Sequence, residues 1–491
     1  MDKSIACLNT NFQKSSLVSV LFLNSIFVLA VSLLPFNSHA FQCDLKPQFE
    51  QLRQIEQQIS LNELDNGMIV RQVNRPLQST VAIASQFNVG SRNETEGQTG
   101  YAHLFEHLLF KGSENAPKDS YPQQMSAIGA RFNASTHFDY TNYYLTIPAQ
   151  ALELSLFLES DRFIRPVLSQ TTVKNQQGAV LEEMATTIDN QPYLRPAMEF
   201  LLSQVAESPY AHAIIGSKAD VISATPIELE QFHQRYYRPD AMQLSLVGKL
   251  ESDSLQTVKQ YFADWQAPNH SQDTFTSIAV TPMAIKTEIV DGRGPWPALL
   301  MAWHTVGRNH PDYEAINLLQ NHLFQNLKSA LASNTLENPP QMLSYSIPLT
   351  MENHGVTNLV LVPRANTSLN ELQELVASLF NEVMQTGINE QALCGLKAAA
   401  INKAQQHYTN SQSLAKFLSN TSVRDKYHPI TQPWQRTEAV SSADIQRVTK
   451  QYFIDKAVRV DLLPPWYIRW GKALLEIMPQ GFANSLERWA L

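Results

Sequence analysis

The segment from Gly100 to Phe110 contains two histidines four residues apart with a glutamate between them, in the order His103, Glu106, His107. In a helix of 3.6 residues per turn, His103 and His107 lie one turn apart on the same face, so both imidazoles can reach one metal ion. Glu106 borders that face and can take a proton from a water molecule at the metal. The spacing therefore predicts a metal site with an adjacent general base, on a helix whose predicted N-cap is Thr99.

The alternative is that the two histidines are ordinary surface or half-buried side chains, since five residues are a short pattern. The apolar residues between and after the histidines predict that the helix is largely buried. A buried polar group that lacks a partner costs roughly 2–7 kcal/mol by transfer measurements, and a metal ion would supply the partner. Catalytic zinc sites use three protein ligands and leave a position for water, so a third ligand must come from elsewhere in the chain.

Glu183 is a candidate for the third ligand. It lies in the segment Thr171–Asp189, whose pattern predicts a helix, and it has apolar residues on both sides that favour burial. A buried carboxylate needs a positive partner, and a metal ion qualifies. The alternative is that Glu182 and Glu183 form a solvated helix face, as most adjacent glutamates do.

Composition and charge limit the kind of protein. The chain has 491 residues, of which 44% are hydrophobic and 17% charged, which excludes wholesale disorder and allows two or more domains. A formal charge of −8 and the lack of a basic run argue against a nucleic-acid-binding protein. We expect no nucleic acid among its partners.

Residues 1–40 have the composition of an export signal. Lysines precede a long apolar run, and Ser38-His39-Ala40 has the small-x-small form of a cleavage site. An uncleaved membrane anchor is the alternative. We expect cleavage and a periplasmic or otherwise exported protein, with no membrane span in the mature chain.

Two cysteines, Cys43 and Cys394, follow the expected signal peptide. In an oxidising compartment they can pair, but two free thiols agree nearly as well with the sequence. Neither cysteine is assigned a catalytic role.

The rest of the chain contains a weak internal repeat. Thr225 and Glu228 have the spacing of a helix capping box, and Ser441 and Asp444 repeat it 216 residues later. Between them, Trp265–Thr281 is polar and rich in turn residues, as a linker is. The pattern predicts two similar α+β domains. We place the signal at 1–40, the domains at 41–270 and 271–463, and an aromatic tail at 464–491, which packs on the protein or serves as an interaction arm; we expect packing.

Beyond the short motif, the chain resembles the pitrilysin–insulysin–mitochondrial processing peptidase family of zinc metallopeptidases, whose signature inverts the order of the commoner zinc proteases. It is most similar to the shorter two-domain bacterial members, from about residue 61 to residue 463. The resemblance rests on the motif segment and on Val89-Gly90-Ser91-Arg92, Phe132-Asn133-Ala134, Asp139-Tyr140-Thr141-Asn142, Leu181-Glu182-Glu183-Met184, Tyr236-Tyr237-Arg238-Pro239 and His310-Pro311-Asp312-Tyr313.

The resemblance implies that His103, His107 and Glu183 bind one zinc ion and that Glu106 is the base. Asn133 falls at a family position near the substrate backbone. The implied fold is two homologous α/β-sandwich domains, each a mixed sheet flanked by helices, which together form half of a clamshell. The implied function is an exported zinc endopeptidase that hydrolyses peptides or unfolded segments with a zinc-activated water.

The chain departs from the family at two places. Gln176 stands where the family usually has a glutamate that supports the metal ligands, and an uncharged side chain is expected to weaken metal affinity. The family also supplies an arginine and a tyrosine that contact the substrate at the scissile bond. Tyr345 fits the tyrosine, but no arginine occurs in the segment Asn338–Met342 before it.

We therefore expect a dimer, in which a related subunit supplies the arginine–tyrosine pair. The alternative is a homodimer in which another cation, Lys328 or Arg308, takes the place of the arginine. The alternative function is a non-catalytic or weakly catalytic partner subunit, or a peptide-binding module, of a heterodimeric metallopeptidase. A structural exported protein with accidental motifs is disfavoured by the length of the resemblance.

Overall fold

The computed structural model describes residues 43–266, 286–333, 343–347, 349, 351–363, 368–420 and 430–469. The described helices are α1 (Lys46–Glu56), α2 (Tyr101–Leu108), α3 (Ser120–Ala127), α4 (Leu152–Ile164), α5 (Gln170–Met184), α6 (Leu194–Ser203), α7 (Lys218–Ser223), α8 (Pro226–Tyr236), α9 (Ser254–Phe262), α10 (Tyr313–Ser333), α11 (Leu369–Thr386), α12 (Glu390–Thr409), α13 (Ser411–Ser419), α14 (Thr431–Ala439) and α15 (Ser442–Val448).

The described strands are β1 (Ile59–Glu63), β2 (Ile69–Asn74), β3 (Thr80–Phe87), β4 (Arg131–Thr136), β5 (Thr141–Pro148), β6 (Met242–Gly248), β7 (Lys286–Val290), β8 (Ala298–Val306), β9 (Leu343–Tyr345), β10 (His354–Val362) and β11 (Val458–Leu463). We call residues 44–266 the first half and residues 286–469 the second half.

Each half contributes one mixed sheet. Among the described strands, the first sheet has the order β1-β2-β6-β3-β5-β4 and the second has the order β7-β11-β8-β10-β9. The pairs β2–β6 and β7–β11 are parallel, and the other pairs are antiparallel. The second sheet therefore repeats the order β2-β6-β3-β5-β4 of the first. The predicted fold class, two mixed sheets flanked by helices, is confirmed.

The two predicted capping boxes are present at equivalent helices. At the start of α8, the side chain of Thr225 accepts from the backbone of Glu228, whose own side chain accepts from the backbone of Thr225. Ser441 and Asp444 make the same pair of bonds at the start of α15. Helix α8 is the last α-helix before β6, and α15 is the last before β11. The local sequence therefore starts the equivalent helix in both halves with the same capping box.

The domain boundaries at 270 and 271 remain a prediction, since the linker Trp265–Thr281 falls mostly outside the described residues. The predicted signal also lies outside them. The aromatic tail is described only to residue 469, where Trp466 and Tyr467 are exposed.

Two further expectations concern the cysteines and the membrane. Cys43 and Cys394 are both disulfide-bonded in the structure. Among the described residues, no helix combines the length and the apolar character needed to cross a bilayer.

The two halves exchange covering helices. One face of the first sheet packs against α2, α4, α5, α8 and α9, all from the first half. Its other face is covered by α13 of the second half, whose Leu414 and Leu418 are buried against Ala82, Ala84 and Val247. In return, α6 of the first half covers one face of the second sheet, among apolar residues of β8, β10 and β11. Neither sheet is buried on both faces by its own half.

This exchange predicts the effect of truncating a buried leucine on α13. Leu414→Ala should lower the free energy of unfolding by about 2–5 kcal/mol, because it removes buried contacts and leaves a cavity between the halves. Leu77, which is 100% exposed, provides the control, and Leu77→Ala should leave stability unchanged. Urea unfolding followed by circular dichroism measures both variants. Equal midpoints would contradict the role assigned to α13.

Candidate metal centre

Helix α2 begins where the backbone takes a conformation that favours glycine. Gly100 has φ of 92°, and a Cβ there would lie 2.6 Å from the carbonyl oxygen of Ile215. Since Gly100 has no side chain to cap the helix, the carboxylate of Glu94 takes that role. Its two oxygens accept from the backbone N–H groups of Gly100 at 2.8 Å and of Ala102 at 2.7 Å.

The predicted N-cap at Thr99 is therefore wrong. The helix begins after Gly100, and the hydroxyl of Thr99 donates instead to Asp220 of α7, which also accepts from the backbone N–H of Thr99 at 3.0 Å. The cap was missed because its carboxylate comes from a preceding loop rather than from the residue before the helix.

Three predicted ligands converge between α2 and α5. The rings of His103 and His107 have centroids 4.9 Å apart on one face of α2. Oε2 of Glu183, on α5, lies 3.7 Å from Nε2 of His103 and 3.3 Å from Nε2 of His107. All three ligand atoms lie within 4.8 Å of one another, and among the described residues no other group of three or more histidine, cysteine, aspartate or glutamate side chains does so. Glu182, by contrast, is exposed.

The donor set fits a zinc ion. Zinc binds nitrogen and oxygen ligands tetrahedrally at about 2.0–2.2 Å, which separates neighbouring ligand atoms by about 3.3–3.6 Å. The separations of 3.3 and 3.7 Å at Glu183 are close to these values. Burial lowers the pKa of His103 to about 4, with His107 adding to the shift, so the ring is neutral as a metal ligand must be. A hydrogen bond with His107 lowers the pKa of Glu183, which keeps its carboxylate ionised.

The carboxylate of Glu106 is oriented from a strand. The hydroxyl of Thr136, the last residue of β4, donates to Oε2 of Glu106 at 2.5 Å. Burial raises the pKa of Glu106, and the hydrogen bond from Thr136 opposes this rise. Thr136 was missed by the sequence analysis. The signal in the sequence was the spacing of Thr136 and Phe132, which are four residues apart and therefore lie on the same face of strand β4. This face is turned toward α2, since the ring of Phe132 stacks on Phe110, just after that helix, at a centroid distance of 5.6 Å.

The other predicted site residues lie in different surroundings. Asn133 is exposed on β4, and its Oδ1 accepts from the N–H of Ala134 at 2.9 Å. Gln176 is buried on α5, two turns before Glu183. Tyr345 is on β9 of the second sheet, where burial raises its pKa and Asp291 adds to the shift. Within the described part of the chain, no hydrogen bond or ion pair joins Tyr345 to the three predicted ligands.

Two family models match the chain in order. The model described as Insulinase (Peptidase family M16) matches residues 69–216, and the model described as Peptidase M16 inactive domain matches residues 223–399. The chain belongs to peptidase family M16. The first match contains His103, Glu106, His107 and Glu183, and the resemblance drawn from the sequence is confirmed.

Several proteins similar in sequence to this chain are named zinc proteases. The chain is 25% identical to the zinc protease PqqE of Helicobacter pylori over 415 residues, which cover 82% of this chain and 92% of that protein. It is 31% identical to an uncharacterized zinc protease of Mycobacterium bovis over 188 residues, which cover 38% of this chain and 43% of that protein.

Solved structures show the same fold. A protease from Helicobacter pylori superposes with a TM-score of 0.72 at 21% identity, over 83% of this chain and 99% of that chain. The periplasmic protease PqqL from Escherichia coli superposes with a TM-score of 0.66 at 19% identity, over 84% of this chain and 48% of that chain.

The geometry of the three ligands predicts which of the adjacent glutamates binds metal. We expect one zinc per chain, and Glu183→Gln should weaken zinc binding by about two orders of magnitude, because it removes an ionised ligand. Glu182→Gln is the matched control, since it changes a neighbouring exposed carboxylate, and it should leave the affinity unchanged. Elemental analysis and competition with a chromophoric chelator measure the two quantities. Equal affinities for the two variants would contradict the assignment of Glu183.

Proposed function

We propose that this chain is an exported zinc-dependent endopeptidase that hydrolyses peptides or unfolded segments. The observation that carries the proposal is the convergence of two imidazoles and one carboxylate, whose ligand atoms lie within 4.8 Å of one another, with a second carboxylate, Glu106, held beside them. The name of the relative PqqE, a zinc protease matched over most of its length, supports the same activity.

The residues of the site divide into ligands and a base. A zinc ion held by His103, His107 and Glu183 would polarise the carbonyl of a peptide bond and lower the pKa of water. Glu106 accepts the proton of the attacking water on its carboxylate and then delivers that proton to the nitrogen of the leaving amine. Thr136 fixes the orientation of that carboxylate through its hydrogen bond.

The expected substrate is an extended peptide segment. Strand β4 is an edge strand of the first sheet as far as the structure describes it, and it carries Thr136 at one end and the exposed Asn133 nearer the other. An edge strand offers unpaired backbone groups to which an extended peptide can add as a further strand. A folded protein has few free backbone groups to offer, which favours peptides and unfolded segments.

Export is supported by two observations. The first 40 residues have the composition of a signal peptide, and Cys43 and Cys394 are disulfide-bonded. Disulfides persist mainly in oxidising compartments such as the bacterial periplasm. The structural neighbour PqqL is described as periplasmic, which agrees with this location.

The division of roles predicts that Glu106→Gln binds zinc and lacks activity. The ligands remain, but the amide cannot accept the proton, so peptide hydrolysis should fall by about 10²–10⁴-fold. Thr136→Val should retain zinc and lose less activity, because the base remains but is less well oriented. Hydrolysis of a quenched fluorescent peptide, with zinc content measured on the same samples, tests both variants. Near-normal turnover by Glu106→Gln would rule out the assigned base.

A second candidate function, as one subunit of a heterodimer, is favoured by the absence of a family arginine before Tyr345. Arg308 is one candidate to replace that arginine, but its guanidinium donates to Asp139 at 2.9 Å and lies over the ring of Tyr140, 5.8 Å from its centroid. It is therefore engaged within the chain. Lys328 is another candidate, and its side chain lies outside the described residues.

We therefore expect the chain to work best with a related exported subunit that carries the arginine. Such a group stabilises negative charge that develops on the carbonyl oxygen, and its absence costs about 10²–10³-fold in rate. Peptidase assays of the isolated chain, and of the chain co-expressed with a related exported subunit from the same genome, measure the difference. Full activity from the isolated chain, unchanged by the second subunit, would leave no role for such a partner.

A further inference from the structure

The position of the metal ligands depends on how α2 is held at its N-terminus. The helix has only 8 residues, and it carries His103, His107 and Glu106. Helices this short are not stable by themselves, so tertiary contacts must hold them in place. Glu94 supplies such a contact: its side chain is fully buried, and both of its oxygens accept backbone N–H groups of the first turn.

The backbone around Glu94 is fixed against the turn that joins β4 to β5. The N–H of Ser91 donates to the carbonyl of His137 at 3.2 Å, and that of Arg92 donates to the carbonyl of Phe138 at 3.0 Å. Gly90 packs so closely on this turn that a Cβ would lie 2.3 Å from the carbonyl oxygen of His137. The loop before α2 therefore follows any displacement of the β4–β5 turn.

An ion network joins this turn to the second half. Asp139, which is 5% exposed, accepts from Arg92 at 2.8 Å and from Tyr210 at 2.7 Å in the first half. It also accepts from Arg308 at 2.9 Å and from the backbone N–H of Glu352 at 2.9 Å in the second half. The side chain of Glu352 in turn accepts from Arg92. Two arginines and two carboxylates thus connect the halves. Asp139 is the buried member of this network, and its bonds are stronger in the low local dielectric than they would be on the surface.

The network reaches the metal site by two short routes. Arg92 is two residues before Glu94, which holds the N-terminus of α2. Thr136, which orients the carboxylate of Glu106, is three residues before Asp139 on the same strand and turn. Both routes begin at Arg92 and Asp139, which belong to segments that carry the family resemblance but have no part in the metal site itself.

We propose that Glu94 is a positioning residue for the metal site, and that the ion network around Asp139 makes its position depend on the second half through Glu352. The proposal rests on the proposed function in that it requires zinc binding by His103 and His107. It assigns a task to Glu352, which lies within the match described as Peptidase M16 inactive domain: Glu352 helps to hold the ligand helix in place without contacting the metal.

Zinc affinity of purified full-length variants tests the proposal without any activity assay. In Glu94→Gln, the amide NH₂ replaces one carboxylate oxygen, so one backbone N–H at the start of α2 loses its acceptor. The ligand helix is then held less firmly, and zinc binding should weaken by about 10–100-fold. In Glu352→Gln, a substitution in the other half, binding should weaken by about three- to tenfold. In the double variant, Glu352→Gln should have little further effect, because both residues act through the same loop.

The control is a carboxylate of the second half that is equally well bonded but not linked to α2. Asp312 accepts from Arg447 at 2.7 Å and from Tyr452 at 2.8 Å. Asp312→Asn should lower the thermal unfolding temperature of the metal-free protein and leave the zinc dissociation constant unchanged. This variant separates a loss of general stability from a loss of ligand positioning.

The zinc-binding measurements distinguish a failure of this proposal from a failure of the proposed function. A wild-type chain that binds no zinc, in competition with a chromophoric chelator, would overturn both proposals. A wild-type chain that binds zinc, with unchanged dissociation constants in Glu94→Gln and Glu352→Gln, would overturn this one alone. If Glu94→Gln does not fold, Glu352→Gln still decides, because the side chain of Glu352 is 36% exposed and its replacement leaves the cores intact.

Discussion

A short buried helix must hold two imidazoles in place, and much of the first half is arranged around that constraint. Helix α2 is too short to be stable alone, and its first turn has no capping side chain of its own. Glu94 accepts from the N–H groups of Gly100 and Ala102 at the start of that turn, and the left-handed conformation of Gly100 allows the chain to pass close to Ile215. With the start of the helix fixed, Oε2 of Glu183 on α5 lies 3.7 Å and 3.3 Å from the ring nitrogens of His103 and His107, close to the separation of two ligands on one zinc ion.

The second half has the same sheet order but a different use for the equivalent helix. At the offset that relates the two capping boxes, Leu319 and Leu323 of α10 stand where the first half has His103 and His107. Leu319 is buried in an apolar core and Leu323 packs against it. Without the polar pair, this face of α10 needs no metal partner and packs by hydrophobic burial. Hydrogen bonds elsewhere on the helix, such as the one that Gln320 donates to Thr357, add to its attachment.

The exchange of covering helices explains why the two halves form one unit. A sheet with an uncovered apolar face is unstable in water, and each half lends a helix, α6 or α13, to the sheet of the other. The ion network around Asp139 lies where the halves meet, and its carboxylate is bonded from both sides. These are the contacts through which we propose that the second half influences the position of the metal ligands.

The sequence by itself determined the features that depend on local spacing. The two histidines four apart, the capping boxes at Thr225 and Ser441, and the α+β pattern follow from helix and strand periodicity, and the resemblance favoured Glu183 as the third ligand. Only the tertiary structure decided that Glu94 rather than Thr99 caps α2 and that Thr136 orients Glu106. It also decided which helix covers which sheet. These contacts join segments far apart in the chain, and a hydrogen bond across such a distance leaves no periodic trace in the sequence, because it depends on where the backbone folds.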